Sequence, residues 1–294
     1  MGIEGPVFAV VTPFDAAGEV DDSALVDYLQ FLAGHGVRTL VVNGTTGEFA
    51  SLTLPERMAV LECCRRAFDG TIVSHISSCC VQDSRTLLDH SREYADAVLL
   101  LPPFYYANVD PPGNLAFIRA ILDGCDLPAY LYNFPEHTQS EISTDMFWQL
   151  AAQVDCLAGI KDSGGRLQLS QDYKRACPQL QVFVGSDRMA LEVLKRGLDG
   201  SVTGCGSAVP EFLVDVQTRW KAGDLDAAGS AQRQLDAWTD FREHVPVNSL
   251  PLTKAALGGR IPGFPPYVRP PFITADVAGI CAIRSALAEI VAGK

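Results

Sequence analysis

A short apolar run followed by a helical pattern recurs about eight times between Val7 and Ser207, at roughly 30 residues per unit, and that period leaves few folds open. The runs lie at 7–11, 39–43, 71–76, 97–101, 129–132, 157–162, 181–184 and 200–203, rich in β-branched residues and stopped by proline, glycine or asparagine. Between them come helix signals. Asp21, Asp22 and Ser23 can cap a helix carrying Leu25, Val26, Leu29 and Leu32, and Gly34 and Gly36 close it. Thr53-Leu-Pro-Glu56 is a capping-box pattern with proline in the first turn. Further helices are predicted from about 83, over 114–122, 143–153, 167–176 and 189–195. The alternation predicts an α/β fold, a (β/α)8 TIM barrel over 1–223, since a doubly wound sheet usually has fewer strands. From 224 to 294 the strands cease, and a proline-broken helical region is expected to pack on the barrel as an appendage.

Composition narrows the partners. At 294 residues and 48% hydrophobic the chain can bury a large core, and a net charge of -12 argues against nucleic acid or an anionic membrane as partner. The first residues lack a basic stretch followed by an apolar core, and no run reaches the roughly 20 residues of a bilayer span, so a cytoplasmic protein is expected. Nine cysteines, paired only as Cys63-Cys64 and Cys79-Cys80, show no ligand spacing and read as reduced apolar fillers. The five histidines are scattered, so no metal is expected.

In a barrel the loops after the strands gather at one face, which sorts the remaining motifs. Leu157-Ala-Gly-Ile-Lys161-Asp162 ends a buried run on a lysine, and such a lysine either reaches solvent or, walled by apolar groups, shifts towards its neutral, nucleophilic form. Gly44-Thr45-Thr46-Gly47 offers amides and two hydroxyls suited to a carboxylate or phosphate, or is an ordinary turn. Tyr132 at a strand end can relay a proton or plug the barrel rim, and Tyr105 and Tyr106 carry the same two readings. Gly204-Cys-Gly-Ser207 stands where phosphate-binding barrels hold phosphate.

Seven motifs in one order (TPF at Thr12, GTTGE at Gly44, PPFYY at Pro102, YNFP at Tyr132, GIKD at Gly159, GSD at Gly185 and a Gly-Ser turn before Pro210) make nearly the whole chain resemble the dihydrodipicolinate synthase and N-acetylneuraminate lyase family of class I, pyruvate-handling aldolases. The resemblance implies that Lys161 forms an imine with a 2-oxo acid, with no other cofactor. It implies too that Thr45 and Thr46 hold that acid's carboxylate and that Tyr132 relays protons. Tyr105 matches a tyrosine lent to a neighbouring subunit, and a homotetramer is expected. Where the synthase branch has an arginine for aspartate semialdehyde this chain has His137, a poor substitute for a guanidinium. The PPFYY and GSD turns look more like members cleaving 2-keto-3-deoxy sugar acids, in which hydroxyls on Ser186, Thr203 or Ser207 and the Asp187 carboxylate can bind a polyol tail, with Gly47 and Gly185 also in the binding set. The expected activity is therefore cleavage of such an acid, or a related 4-hydroxy-2-oxo acid, to pyruvate and an aldehyde. Condensation of pyruvate with aspartate semialdehyde, or a catalytically silent oxo-acid-binding barrel, are the alternatives. The Ser77-Ser-Cys-Cys80 loop departs from the usual glycine-rich version.

Overall fold

The computed structural model describes residues 2–106 and 109–293; Met1 and Lys294, the outer ends of the two expected segments, lie outside the described residues. Eight strands, β1 (Val7–Ala9), β2 (Thr39–Val42), β3 (Thr71–His75), β4 (Ala97–Leu100), β5 (Ala129–Asn133), β6 (Leu157–Asp162), β7 (Gln181–Val184) and β8 (Gly200–Thr203), close in sequence order into a parallel TIM barrel. The predicted runs are each trimmed or extended by no more than two residues.

Each helix begins where its sequence allows. The first, α1 (Asp22–Gly34), is capped by the Asp21 carboxylate accepting from Ala24 N at 3.0 Å, and α2 (Leu54–Ala67) opens with the full Thr53–Glu56 capping box. The barrel series continues with α3 (Val81–Tyr94), α4 (Pro111–Leu122), a single turn α5 (Pro135–Thr138), α6 (Thr144–Gln153), α7 (Leu167–Ala176), α8 (Ala190–Lys195) and α9 (Pro210–Lys221). Three helices follow: α10 (Leu225–His244), α11 (Ser249–Leu257) and α12 (Val277–Ala292).

Strand alternation divides the core. Val7, Ala9, Val41, Val73, Leu99, Tyr130, Tyr132, Phe183 and Val202 fill the lumen, while their strand neighbours pack outward on the helices. Leu235 and Trp238 of α10 and Leu252 of α11 lie in one buried cluster with Phe8, Leu25 and Phe212, so the last helices share the barrel's outer core. No helix among the described residues is long and apolar enough to cross a membrane.

Candidate active site

Register places the two suspects side by side. On β5 and β6 Tyr132 pairs with Lys161, and both point inward because Tyr130, two residues back, is a lumen residue. The Lys161 Nζ stands 3.9 Å from the centroid of the Tyr132 ring, with the lysine 9% exposed. The next pair in register, Asn133 and Asp162, fixes both strand ends. The Asp162 carboxylate accepts from Asn133 Nδ2 (2.8 Å), Gly164 N (2.9 Å) and Ser170 Oγ (2.6 Å), so the YN and KD dipeptides clamp one another beside Tyr132 and Lys161.

A cleft of about 520 Å³ opens over Lys161. It is lined by Thr45, Thr46, Tyr132, His137, Gly185, Ser186 and Asp187 among the residues expected from sequence. Neither the amide nor the hydroxyl of Thr45 or Thr46 donates to any described residue, which leaves four donors on the GTTG turn for an anion. The turn packs tightly against its surroundings: a Cβ on Gly204 would strike Thr46 Oγ1, and one on Gly185 would strike Ser163 Oγ. His137 stacks on Phe134 at 4.0 Å, and Phe134 on Tyr132 at 5.6 Å, an aromatic stair leading out of the cleft.

Five expected residues fall elsewhere. Gly47 is buried under the turn with its carbonyl accepting from the Thr12 hydroxyl at 2.8 Å. The Thr203 hydroxyl accepts from Gly206 N (2.8 Å) and the Ser207 hydroxyl donates to Gly204 O (2.7 Å), so both close the turn after β8 and neither lines the cleft. Tyr105 and Tyr106 are 77% and 67% exposed, outside the chain's own cleft.

The structure adds residues the sequence did not single out. Arg242 of α10 lines the cleft and donates to Asp187 Oδ2 at 3.1 Å, Gln232 donates to Asp187 O (3.0 Å), and Trp238 Nε1 donates to Cys205 O (3.0 Å). One helix thus holds the loops after β7 and β8. Its signal was helical spacing, Leu235, Trp238 and Arg242 falling on one face. Ser163, Glu136, Arg188 and Glu243 also line the cleft.

Behind the GTTG turn two buried networks hold its shape. Asn43 and Glu48, which flank it, adopt left-handed backbone at φ 60° and 56°, a conformation that costs a non-glycine residue and needs support. Asn43 Nδ2 donates to Arg57 O, and His75 Nδ1 contacts Asn43 O at 2.8 Å. On the far side of the ring Ser77 Oγ lies 2.9 Å from His75 Nε2 and accepts from Leu101 N, which gives the unusual Ser77 loop a structural role. Glu48 pairs with Lys254 at 2.5 Å, both side chains wholly buried, and Lys254 also donates to Tyr267 O at 2.8 Å. Burial lowers the Lys254 ammonium to about 8 in spite of the carboxylate.

Burial, with the Arg57 and Lys161 charges adding to it, also drives His75 well below its ordinary 6.5. His75 is then neutral when folded and takes up a proton on unfolding below pH 6.5, so its contribution to stability is present above that pH and is lost as pH falls. An acid slope of up to about 1.4 kcal/mol per pH unit is expected from this one group. Thermal melts from pH 7 to 5 should show a shallower slope for His75→Asn than for wild type; equal slopes would remove His75 as the cause.

Comparison with known proteins decides the family. The profile described as "Dihydrodipicolinate synthetase family" matches residues 3–288. The chain belongs to the dihydrodipicolinate synthetase family. These are pyruvate-dependent class I aldolases, carbon–carbon lyases that work through a covalent lysine–pyruvate imine in place of a metal or other cofactor. An uncharacterised DapA-like lyase of Chloroflexus aurantiacus is 33% identical over 98% of this chain and 97% of its own length. A 2-dehydro-3-deoxy-D-gluconate/2-dehydro-3-deoxy-phosphogluconate aldolase of Thermoproteus tenax, another family relative, is 28% identical over 81% of this chain and 76% of its own. In fold, a prophage protein of the same family from E. coli K12, solved with pyruvate, superposes with a TM-score of 0.90 at 22% identity, covering 99% of this chain and 98% of its own.

Proposed function

We propose that this chain cleaves a 2-keto-3-deoxy sugar acid, or a closely related 4-hydroxy-2-oxo acid, into pyruvate and an aldehyde. One observation carries the reading: Lys161 Nζ lies against Tyr132 in a cleft whose far wall is the unpaired Thr45–Thr46 turn. An acid whose carboxylate sits on that turn places its C2 carbonyl towards the lysine. The neutral amine adds to C2, water leaves, and an iminium remains. Having given its own proton to the hydroxyl that left as water, Tyr132 takes the proton from the C4 hydroxyl, the C3–C4 bond breaks, and its electron pair passes into the iminium as the aldehyde departs. The resulting enamine is reprotonated at C3, and water releases pyruvate and the free lysine.

The outer cleft favours a neutral, hydroxylated tail. Its cations beyond Lys161 are already engaged: Arg242 with Asp187, and Arg188 with Glu243 and Asp240. Ser163, Ser186 and the Asp187 carboxylate remain to meet hydroxyls, whereas a terminal phosphate finds no unpaired arginine among the described lining residues. His137 in place of an arginine likewise weakens recognition of aspartate semialdehyde.

In a homotetramer, the assembly that fits this reading, the exposed Tyr105 enters a neighbouring copy's cleft. Sedimentation velocity checks the assembly, and a monomer at full activity would remove Tyr105 from the site. For the reaction, pyruvate release is followed from a panel of 2-keto-3-deoxy acids with and without a terminal phosphate, alongside ring formation from pyruvate and aspartate semialdehyde. The expected result is release from the unphosphorylated acids with kcat/KM at least about tenfold above their phosphates, a difference of about 1.4 kcal/mol. Ring formation without pyruvate release would make the chain a synthase.

A further inference from the structure

A second cleft, of about 560 Å³, lies at the other end of the barrel from Lys161, where the connections from α4 to β5 and from α6 to β6 meet. Two cysteines 31 positions apart in sequence line it together, Cys125 just ahead of β5 and Cys156 immediately before β6. The backbone brings them there: Ala129 N donates to Cys156 O at 2.8 Å, and Ala129 pairs with Leu157 in the sheet register. Cys125 Sγ is itself steered by a 3.3 Å contact to Leu127 O. The two thiols face the same cleft, and both are half-buried rather than sealed.

We propose that Cys125 and Cys156 form a thiol–disulfide site that accepts a low-molecular-weight disulfide, of the glutathione disulfide type, as its oxidant and closes into an intrachain bond. Their environments divide the labour. The neighbouring Cys156 thiol lowers Cys125 against the effect of burial, and Arg92, anchored at Gly124 O (2.8 Å) and Asp126, acts in the same direction. Cys156 is raised, first by the neighbouring Cys125 thiol and then by burial. With the Arg92 guanidinium held beside it, Cys125 is the attacking sulfur of this proposal and Cys156 the resolving one.

The Cys125 thiolate attacks one sulfur of the oxidant, the S–S bond breaks, and one glutathione thiolate leaves, taking up the proton that Cys125 gave up. Cys156 then loses its proton and attacks the Cys125 sulfur, expelling the second glutathione, which takes that proton. Two protein thiols and one disulfide become one protein disulfide and two molecules of glutathione. No further oxidant is needed.

The bond would tie the starts of the two strands that carry Tyr132 and Lys161 at their far ends, closing a loop of about 30 residues. It removes freedom from the unfolded chain without touching the cleft above Lys161. The expected signature is a melting temperature raised by several degrees with kcat little changed.

The test uses the whole wild-type protein equilibrated with glutathione and its disulfide over a range of ratios, alkylated and mapped by mass under non-reducing conditions. A peptide pair joined through Cys125 and Cys156, forming in a single two-electron transition reversed by dithiothreitol, is the expected result. Glutathione retained on Cys125 at the oxidised end, a bond through Cys79 and Cys80 or between chains instead, or both thiols still alkylated, each overturns it. In Cys156→Ser the reaction should stop at glutathione bound to Cys125. If that variant does not fold, the wild-type map alone decides.

Discussion

Lys161→Ala is expected to fold as wild type does and to lose turnover by at least about 10⁴-fold, because an imine cannot form without an amine and Lys161 is the only lysine lining the cleft among the described residues. Folding should survive. Lys161 makes no ion pair or hydrogen bond with any described residue, and what it forfeits is contact with the Tyr132 face. The defining readout is chemical: borohydride reduction in the presence of pyruvate should leave a stable pyruvyl amine on Lys161 of wild type and no adduct on the variant. Tyr132→Phe separates the roles further, keeping the adduct while slowing carbon–carbon cleavage, since solvent can supply the proton for imine formation whereas cleavage needs the Tyr132 oxygen to accept one. An adduct mapped to another lysine, or activity persisting in Lys161→Ala, would dismiss Lys161 as nucleophile.

The largest effect on stability is expected at Lys254→Met. The variant strands the Glu48 carboxylate, wholly buried, without its cation, and breaking a buried pair from one side costs about 3–5 kcal/mol. In a chain of this size that is a fall in melting temperature on the order of 10 °C. The damage should reach the cleft as well, because Glu48 holds its left-handed backbone at the end of the Thr45–Thr46 turn and also accepts from Arg269 N at 3.1 Å. The affinity for pyruvate is expected to weaken more than kcat falls. Glu48→Leu combined with Lys254→Met removes both charges and should recover much of the lost stability, although not the turn's grip on a carboxylate. If the single variant melts like wild type, the pair does not anchor the turn.

Much of this site could be read in the chain because strand ends announce themselves. A β-branched run followed by a proline, a glycine or a charged residue marks where a barrel strand emerges, and the inward residue nearest the end of such a run reaches the open face; Lys161 and Tyr132, each one residue before its strand's end, both follow that logic. Hydroxyl side chains were harder. Thr203 and Ser207 sit in the expected place, yet each hydroxyl satisfies a backbone group of its own turn, a local competition that residue type alone does not reveal. Pairings across long stretches of chain left no spacing to detect: Glu48 finds Lys254 206 positions away, and Arg242 reaches Asp187 from a helix that reads in sequence as surface packing. The tyrosines at 105 and 106 lie exposed on the single chain, a placement that an aromatic PPFYY turn does not announce.

The dependence of the β7 and β8 loops on α10 divides the cleft by origin. Bond-making groups grow from β2, β5 and β6 and are fixed by sheet register, whereas the wall that meets a substrate's far end is propped by a helix outside the eightfold repeat. Two kinds of support therefore meet in one cleft, a floor set by strand register and a wall set by helix packing. Substitutions on that one helix would reshape the wall of the cleft and leave untouched the register that sets Lys161 beside Tyr132.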